Sequence, residues 1–412
     1  MQWSTSVYTP PRGLVRMRNL RKSTSAIFVV LLTVILVVFL ASRTLLIRNN
    51  VAVRDSIAYW AAGDLLVHHQ NPYDYEHVLE LERQQGYKEA RPLVLRTPPW
   101  SLFMVAVLGL VTPLWAWVVW LVVLVWSLIA GMRVCRSLYQ TKTMPRNLFP
   151  LVGYLFAPVP ACLVAGQMGL VLMLGLILFF YWEKQHAASA GALLLLPFAK
   201  PHLLLPFWIV LIVWVAFRKK YRVVGGFLIS FTLAVGFALA FDPNVFRHYR
   251  DMLQVASIQR EFIPALSGVI RLLFFRSHFW VQFMPLCMAL LWSLVYFLKN
   301  RTEWDWTYHG PALLVISVIT TPDAWLADEA IVLPAILQAV LFVYEARTRL
   351  KIRNKIMLVF FALLNFLLLL ILRSKIPFST GIYFWSSLVW FSWYFYARAL
   401  HRRAIALMAR PC

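Results

Sequence analysis

The stretch "VRDSIAYWAAGDLLVHHQNPYD" (residues 53–74) places carboxylate, phenol and imidazole side chains directly after a long apolar segment. In a helix that starts near Asp55, Tyr59 lies one turn further on, and Asp64 and His68 recur at three- and four-residue spacing. Such a helix could present proton-accepting groups to a cavity beside a membrane. Asp55 is therefore a candidate general base, or it caps the helix, as Asp before an apolar run often does.

Two other features of this stretch have alternative interpretations. Asp64 and His68 have the i, i+4 spacing of two metal ligands, although a solvated helix face shows the same pattern. A divalent cation is therefore the one cofactor that this spacing suggests. Asn71-Pro72-Tyr73-Asp74 predicts a turn that ends the helix, since the residue before proline is disfavoured in helical conformation. Tyr73 joins the candidates for substrate contact.

Basic residues occur next to apolar segments further along the chain. Arg96, in "RPLVLRTPPW" (residues 91–100), either extends to lipid headgroups or holds a lipid phosphate. Lys200 and His202 lie between runs of leucine and aromatic residues. An ammonium at depth costs several kcal/mol unless it finds a partner. Lys200 therefore either contacts an anion or pairs structurally at a helix break.

Three more polar or aromatic residues complete the candidate site. Gln167 lies in the "AGQMG" turn, and Trp325 lies in "TTPDAWLADEA" (residues 320–330). Arg271 is a further cation that could hold an anionic group. Each residue alone is a weak signal, but all are inferred to lie on one side of the membrane.

The composition indicates an all-α, polytopic membrane protein. Of 412 residues, 61% are hydrophobic and 14% are charged, well outside the range of soluble domains. Residues 1–25 are predicted to form a basic cytoplasmic amino terminus. Ala26–Ile47 is predicted to be a first span, since it is long enough to cross a bilayer core of ~30 Å. Later apolar blocks predict 10 to 12 passages in one membrane domain, residues 26–396, followed by a basic cytoplasmic tail, residues 397–412.

Proline interrupts two of the apolar blocks. The block Pro98–Gly131 is broken at Thr112-Pro113, and the block from Ala188 to Phe217 is broken at Lys200-Pro201. Two full crossings in the first block would put the basic loop Arg133–Arg146 outside, against the positive-inside rule. The topology of residues 98–146 therefore stays open, and a short or re-entrant half is one solution.

Charge distribution predicts the sidedness of the loops. Loops 48–97, 242–278 and 321–329 hold 13 of the 17 acidic residues, and seven of these lie in the first and largest loop. Placing these loops outside leaves most clustered basic residues inside, as the positive-inside rule requires. The net charge of +23 is thus dispersed between spans, which argues against a nucleic-acid partner. The spacing of the four cysteines predicts neither a disulfide framework nor a zinc site.

The order of these motifs resembles glycosyltransferase family 87, within the GT-C class of membrane glycosyltransferases that use polyprenyl-phosphate sugars. The family pattern has an Asp after the first span, then "YxxAxxxLxxGxxPY", "PP", "GQ", a "G…K" block and "P..W". The corresponding residues here are Asp55, Tyr59, Ala62, Leu66, Asn71-Pro72-Tyr73, Pro98-Pro99, Gly166-Gln167, Gly191 with Lys200, and Pro322 with Trp325. The chain departs from the pattern at the glycine before "NPY", at the residues before "PP", and at a histidine after "P..W".

The resemblance implies a GT-C-like helical bundle whose active site faces the exterior of the plasma membrane. It implies transfer of a sugar, mannose or arabinose by analogy, from a polyprenyl phosphate to an acceptor hydroxyl with inversion. Asp55 would be the base, in the catalytic loop 48–97. The acceptor would be a glycan, a glycolipid or a protein. The competing interpretation is a secondary transporter or lipid flippase, which would also use broken helices and an intramembrane lysine.

Overall fold

The structure is a computed structural model that describes residues 54–256, 263–374, 376–377 and 380–408. The predicted amino-terminal region 1–25 and first span Ala26–Ile47 lie outside the described residues. The described residues form helices and no strand, which confirms the all-α prediction. The α-helices, in chain order, are α1 Asp55–Val67, α2 Tyr75–Gln84, α3 Phe103–Gly109, α4 Pro113–Tyr139, α5 Leu148–Leu155, α6 Pro158–Ala165, α7 Gly169–Trp182, α8 Ala187–Leu193, α9 Leu205–Arg218, α10 Tyr221–Phe241, α11 Val245–Val255, α12 Leu266–Phe274, α13 Met284–Asn300, α14 Trp306–Thr320, α15 Leu333–Ala346, α16 Ile352–Arg373 and α17 Ser386–Met408.

Six helical segments of the described part are long and apolar enough to cross a membrane. They are Pro113–Tyr139, Pro201–Arg218, Tyr221–Phe241, Phe279–Asn300, Asp328–Arg349 and Ile352–Arg373. A seventh would form if α5 and α6, which meet at a bend of 52°, act as one span. The chain is therefore a multi-pass membrane protein. The count of 10 to 12 passages stays a prediction, because several apolar blocks fold as helices shorter than a full span.

Both proline breaks predicted from the sequence are present. The block from Pro98 folds as a short helix, α3, followed by α4, which begins at Pro113 and has 27 residues. The second block is broken around Lys200, between the 3₁₀ turns Pro197–Ala199 and Pro201–Leu204. Proline lacks the N–H that a continuing helix needs, so the regular helix is interrupted at each break. Near the carboxyl terminus, α17 continues past residue 397, where the predicted tail begins.

The helices pack around an aromatic core and leave apolar side chains on the outside. Trp306 is fully buried, and its ring lies 5.3 Å from the rings of both Phe179 and Phe207. Helices α10 and α16, in contrast, expose large apolar side chains such as Ile229 and Leu363. Exposed apolar faces on long helices are what a lipid environment requires.

Helix α1 is held close to the short helix α3 at a pair of glycines. A Cβ atom added to Gly63 would lie 2.3 Å from the carbonyl oxygen of Val105, and one added to Gly109 would lie 2.1 Å from the carbonyl carbon of Gly63. The two backbones therefore touch, and no larger residue fits at either position. This crossing fixes the position of α1 two turns from Asp55.

Candidate functional site

Four interruptions of helical structure meet around Asp55. Asp55 is the first residue of α1, and Gln167 lies in the turn between α6 and α7. Lys200 lies between two 3₁₀ turns, and Asp328 begins the 3₁₀ turn Asp328–Val332. Irregular backbone among apolar helices is tolerated where it is buried in protein or lines a cavity. The four breaks thus place polar side chains from distant parts of the sequence side by side.

A continuous chain of hydrogen bonds joins these residues. Gln167 Nε2 donates to Asp55 Oδ2, and Lys200 Nζ donates to Gln167 Oε1 at 2.8 Å. Tyr59 Oη donates to the same Gln167 oxygen at 3.1 Å. Lys200 Nζ also donates to Asp328 Oδ1 at 2.7 Å. The sequence candidates Asp55, Tyr59, Gln167 and Lys200 are therefore in contact, and Asp328 completes the network.

The geometry around Gln167 fixes which way its amide points. Its oxygen accepts from two donors, Tyr59 and Lys200, while its nitrogen donates to a carboxylate. The reverse orientation would place the nitrogen against two donors and the oxygen against the carboxylate. Gly166, just before it, has φ of 74°, a left-handed conformation that glycine adopts without strain. The carbonyl oxygen of Gly166 accepts from Trp120 Nε1 at 2.7 Å. The turn is thus anchored so that Gln167 points at Asp55.

The Asp55 carboxyl group has a raised pKa. Burial raises its pKa from 3.8 to about 6, against the lowering effects of Lys200, of the hydrogen bond from Gln167 and of Arg96. A carboxyl group with such a pKa is mostly ionised at neutral pH yet is a stronger base than an exposed aspartate. Asp55 also remains partly exposed. The capping alternative is wrong, because Arg54 occupies the N-cap position and Asp55 lies in the first turn.

Lys200 is paired with a carboxylate inside the bundle. Its side chain is 13% exposed and that of Asp328 is 2% exposed. Asp328 Oδ2 also accepts from the backbone N–H of Trp325 at 3.2 Å. The structure shows the pairing at a helix break that was one of the two interpretations from the sequence, and contact with an anionic ligand stays a prediction. The contacts to Gln167 and Asp328 use two of the three ammonium donors.

Two further basic side chains, Arg96 and His202, interact electrostatically with this network. The charge of Arg96 acts on Asp55 and on His202. The backbone carbonyl of His202 accepts from the Thr321 hydroxyl at 3.1 Å, and the carbonyl of Thr321 accepts from Ser267 Oγ at 3.1 Å. The candidate residues Arg96 and His202 therefore lie close to the Asp55 network.

Arg271 is a buried cation one turn along α12 from Ser267. It is 8% exposed, and its guanidinium lies 5.3 Å from the ring centre of Phe279. The described residues offer its Nε no hydrogen-bond acceptor. The buried Nε could donate to an anionic group, because a desolvated donor is costly without an acceptor.

Asp64 and His68 lie away from Asp55. Asp64 is nine residues further along α1, and at 100° per residue nine steps lead to the opposite face of the helix. The two side chains interact with each other: His68 Nδ1 lies 3.8 Å from Asp64 Oδ1, and the His68 side chain is 63% exposed. Among the residues that the structure describes, no three His, Cys, Asp or Glu side chains are grouped as metal ligands. A divalent cation stays a prediction.

Tyr73 and Trp325 support the backbone near the site. The buried Tyr73 hydroxyl donates to the carbonyl oxygen of Thr97 at 2.9 Å, just before Pro98-Pro99. Asn71 Oδ1 accepts from the Tyr73 N–H at 2.9 Å, which confirms the predicted turn. Trp325 binds Asp328 through its backbone, while its side chain is partly exposed.

Sequence reasoning did not place two carboxylates in the site. Asp328 was visible only as one acid among several in residues 320–330, although a lysine among apolar helices calls for an acidic partner. Glu82 of α2 is fully buried, and its two oxygens accept from the Leu93 N–H at 3.2 and 3.1 Å. Burial raises the pKa of Glu82 to about 8, and the charge of Asp55 adds to the rise. No signal in the sequence separates Glu82 from the exposed acids of α2.

Comparisons of the chain with models of protein families, with curated proteins and with solved structures find no match.

Proposed function

We propose that this protein is a membrane glycosyltransferase. It moves a sugar from a polyprenyl phosphate to an acceptor hydroxyl on the outer face of the plasma membrane, with inversion, and Asp55 is the general base. The observation that carries the proposal is the Asp55 carboxylate: partly exposed, raised in pKa to about 6, oriented by Gln167 and acted on by the charges of Lys200 and Arg96.

The reaction needs a base at one end and cations at the other. The acceptor oxygen forms a bond to the anomeric carbon and its proton passes to Asp55, which typically accelerates such a step by 10²- to 10⁴-fold. The bond from the anomeric carbon to the phosphate oxygen breaks, and the phosphate leaves with the electron pair. Positive groups stabilise the charge that develops on the leaving phosphate.

The basic residues divide unequally between structural and ligand-binding roles. Lys200 is already neutralised by Asp328, so its remaining donor can contact the donor substrate only as part of an ion pair. Arg271 is buried and its Nε lacks an acceptor within the described structure. Arg96 acts electrostatically on Asp55. We therefore take Arg271 as the first candidate to bind the phosphate, and Arg96, Lys200 and His202 as the other basic residues proposed for this role.

The backbone at position 69 supports the resemblance to glycosyltransferase family 87. His69 stands where the family pattern has the glycine before "NPY", and its φ is 56°. This left-handed conformation favours glycine and is uncommon for other residues. The His69 ring compensates by packing against Phe241, 5.3 Å between ring centres, and by a hydrogen bond of 3.0 Å to the Phe241 carbonyl oxygen.

A lipid-linked donor also fits the helical architecture. Six apolar segments of the described residues can cross a membrane. The polyprenyl tail then stays in lipid while the sugar phosphate reaches the polar network. The acceptor is a glycan, a glycolipid or a protein with a free hydroxyl. By analogy with the family, mannose and arabinose are the first candidates for the transferred sugar.

The direct test supplies purified protein with labelled polyprenyl phosphates that carry mannose, arabinose, glucose or galactose. We expect transfer of label by the wild type and a loss of at least about 10²-fold in Asp55→Asn. Asp251→Asn is the matched control, because Asp251 is an exposed carboxylate paired with Arg247 at 3.8 Å. Full activity of folded Asp55→Asn would remove Asp55 from the mechanism. Movement of the labelled lipid across vesicles without transfer would favour the transporter or flippase instead.

The proposed sidedness has a separate test. In a background without native cysteines, His77→Cys in α2 should react with an impermeant thiol reagent added to intact cells. Lys219→Cys, just after α9, should react only after the cells are opened. Labelling of position 77 from the cytoplasm alone would place Asp55 on the wrong side for this function.

A further inference from the structure

We propose that the Lys200–Asp328 ion pair, acting through Gln167, orients the Asp55 carboxylate and sets its charge state. Lys200, Asp328 and Gln167 are then positioning residues of the site. The inference rests on the proposed function in one respect, because Asp55 is the base there, but the structural coupling exists whatever the reaction is.

The coupling follows from the sharing of one amide. The Gln167 nitrogen donates to Asp55, and its oxygen accepts from Lys200 at 2.8 Å. A positive ammonium on the oxygen polarises the amide and strengthens its N–H as a donor to the carboxylate. Asp55 and Lys200 are thus separated by a single rigid group, and neither can turn without disturbing the other.

Asp328 determines where the ammonium sits. Its Oδ1 accepts from Lys200 at 2.7 Å, and its Oδ2 is held by the backbone N–H of Trp325 at 3.2 Å. The carboxylate is 2% exposed, so its position is fixed by the packing of the 3₁₀ turn that it begins. Without Asp328, Lys200 would be free to leave Gln167 and approach Asp55 or another anion.

Charges from several elements act on Asp55 along with this pair. The groups that interact electrostatically with it are Lys200, Asp328, Arg96, Glu82, Tyr59 and Tyr87. Lys200 and Arg96 favour its ionised form, whereas Asp328 opposes it. Lys200 and Asp328 act with opposite signs, so replacing each should shift the titration of Asp55 in opposite directions.

The experiment titrates Asp55 by infrared spectroscopy and needs no substrate. Protein labelled with ¹³C-aspartate is measured over a pH series, and the spectrum of Asp55→Asn is subtracted to isolate the Asp55 carboxyl signal. We expect Lys200→Met to raise the titration midpoint by roughly one to two pH units and Asp328→Asn to lower it by roughly half a unit. Asp251→Asn is the control and should leave the midpoint unchanged.

Two further variants keep the test decisive if a single replacement does not fold. Lys200→Met/Asp328→Leu replaces the whole pair by apolar groups, which folded proteins often tolerate. Its midpoint should still rise, because the charge of Lys200 acts more strongly on Asp55 than the charge of Asp328 does. Gln167→Leu should raise the midpoint as well, since it removes a hydrogen bond to the ionised form. A purely structural role of the pair would lower the melting temperature and leave these midpoints where they are.

The outcomes separate this inference from the proposed function. Unchanged midpoints in folded Lys200→Met and Asp328→Asn would overturn the inference, even if transfer depends on Asp55. Opposite shifts without transfer from any lipid-linked sugar would support the inference and count against a glycosyltransferase. Opposite shifts accompanied by matching displacements of the acidic limb of the transfer rate would support both.

Discussion

Replacing Gly63 by alanine should disturb the site without touching any polar residue in it. The added Cβ would lie 2.3 Å from the carbonyl oxygen of Val105, whereas an ordinary contact begins at 3.4 Å. Helices α1 and α3 would therefore have to separate by about 1 Å, the difference between these two distances. The obstacle is backbone, so no side chain can turn away to relieve it.

The expected cost combines stability and activity. Overpacking of this kind destabilises by about 1–3 kcal/mol, and a displacement of about 1 Å at a reacting group can reduce a rate by about 10²-fold. Gly63 is eight residues from Asp55 on the same helix, about 12 Å along its axis. A shift of α1 at Gly63 should therefore reach the carboxylate.

The assay compares thermal unfolding in detergent with that of a glycine in open space. Gly225 in α10 has no atom within 4 Å of its added Cβ, so Gly225→Ala should stabilise its helix by about 0.5–1 kcal/mol. We expect Gly63→Ala to melt below the wild type and Gly225→Ala to melt at or above it. If Gly63→Ala has the same melting temperature as Gly225→Ala and keeps full transfer activity, the tight crossing of α1 and α3 does not position Asp55.

Three other predictions concern charged residues. The transfer rate should fall as the pH drops below about 6, because Asp55 then takes up a proton and loses its function as a base; a flat rate from pH 5 to pH 8 would contradict this role. Burial raises the pKa of Glu82 from 4.5 to about 8, so the folded chain keeps a proton that the unfolded chain releases, and stability should decrease as the pH rises through that range. Glu82→Gln should remove this slope from melting curves recorded in a pH series. Lys200→Met should destabilise the protein by about 3–5 kcal/mol, because it leaves Asp328 as an unpaired buried carboxylate. In chemical unfolding, the double variant with Asp328→Leu should recover most of that loss. Additive losses of the two single variants would argue against the ion pair.

Local patterns predicted the helices, their proline breaks and part of the site. The residue spacing in α1 placed Tyr59 on the same face as Asp55, since four residues make slightly more than one helical turn. The same periodicity places Asp64 on the opposite face of α1, because nine residues rotate the side chain by about two and a half turns. Asp64 and Asp55 therefore do not share one site. The predicted turn at Asn71 to Asp74 also follows local rules, and the structure shows it.

Contacts between distant segments could not be predicted in the same way. Asp328 reaches Lys200 across 128 residues, and Glu82 is buried by a loop whose path depends on the fold around it. Neither contact leaves a periodic pattern in the sequence. The left-handed conformation of His69 is a different case. The backbone there has a conformation that favours glycine, and the His69 side chain offsets the cost of adopting it by its contact with Phe241.

The long separation between Lys200 and Asp328 has a consequence for how the protein is made. At about 5–20 residues per second, the ribosome synthesises Asp328 roughly 6 to 26 seconds after Lys200, given the 128 residues between them. During that interval the ammonium has no acidic partner from this turn, and the first half of the bundle is incomplete. Nascent chains that end before residue 328 should therefore be preferred targets for membrane quality-control proteases.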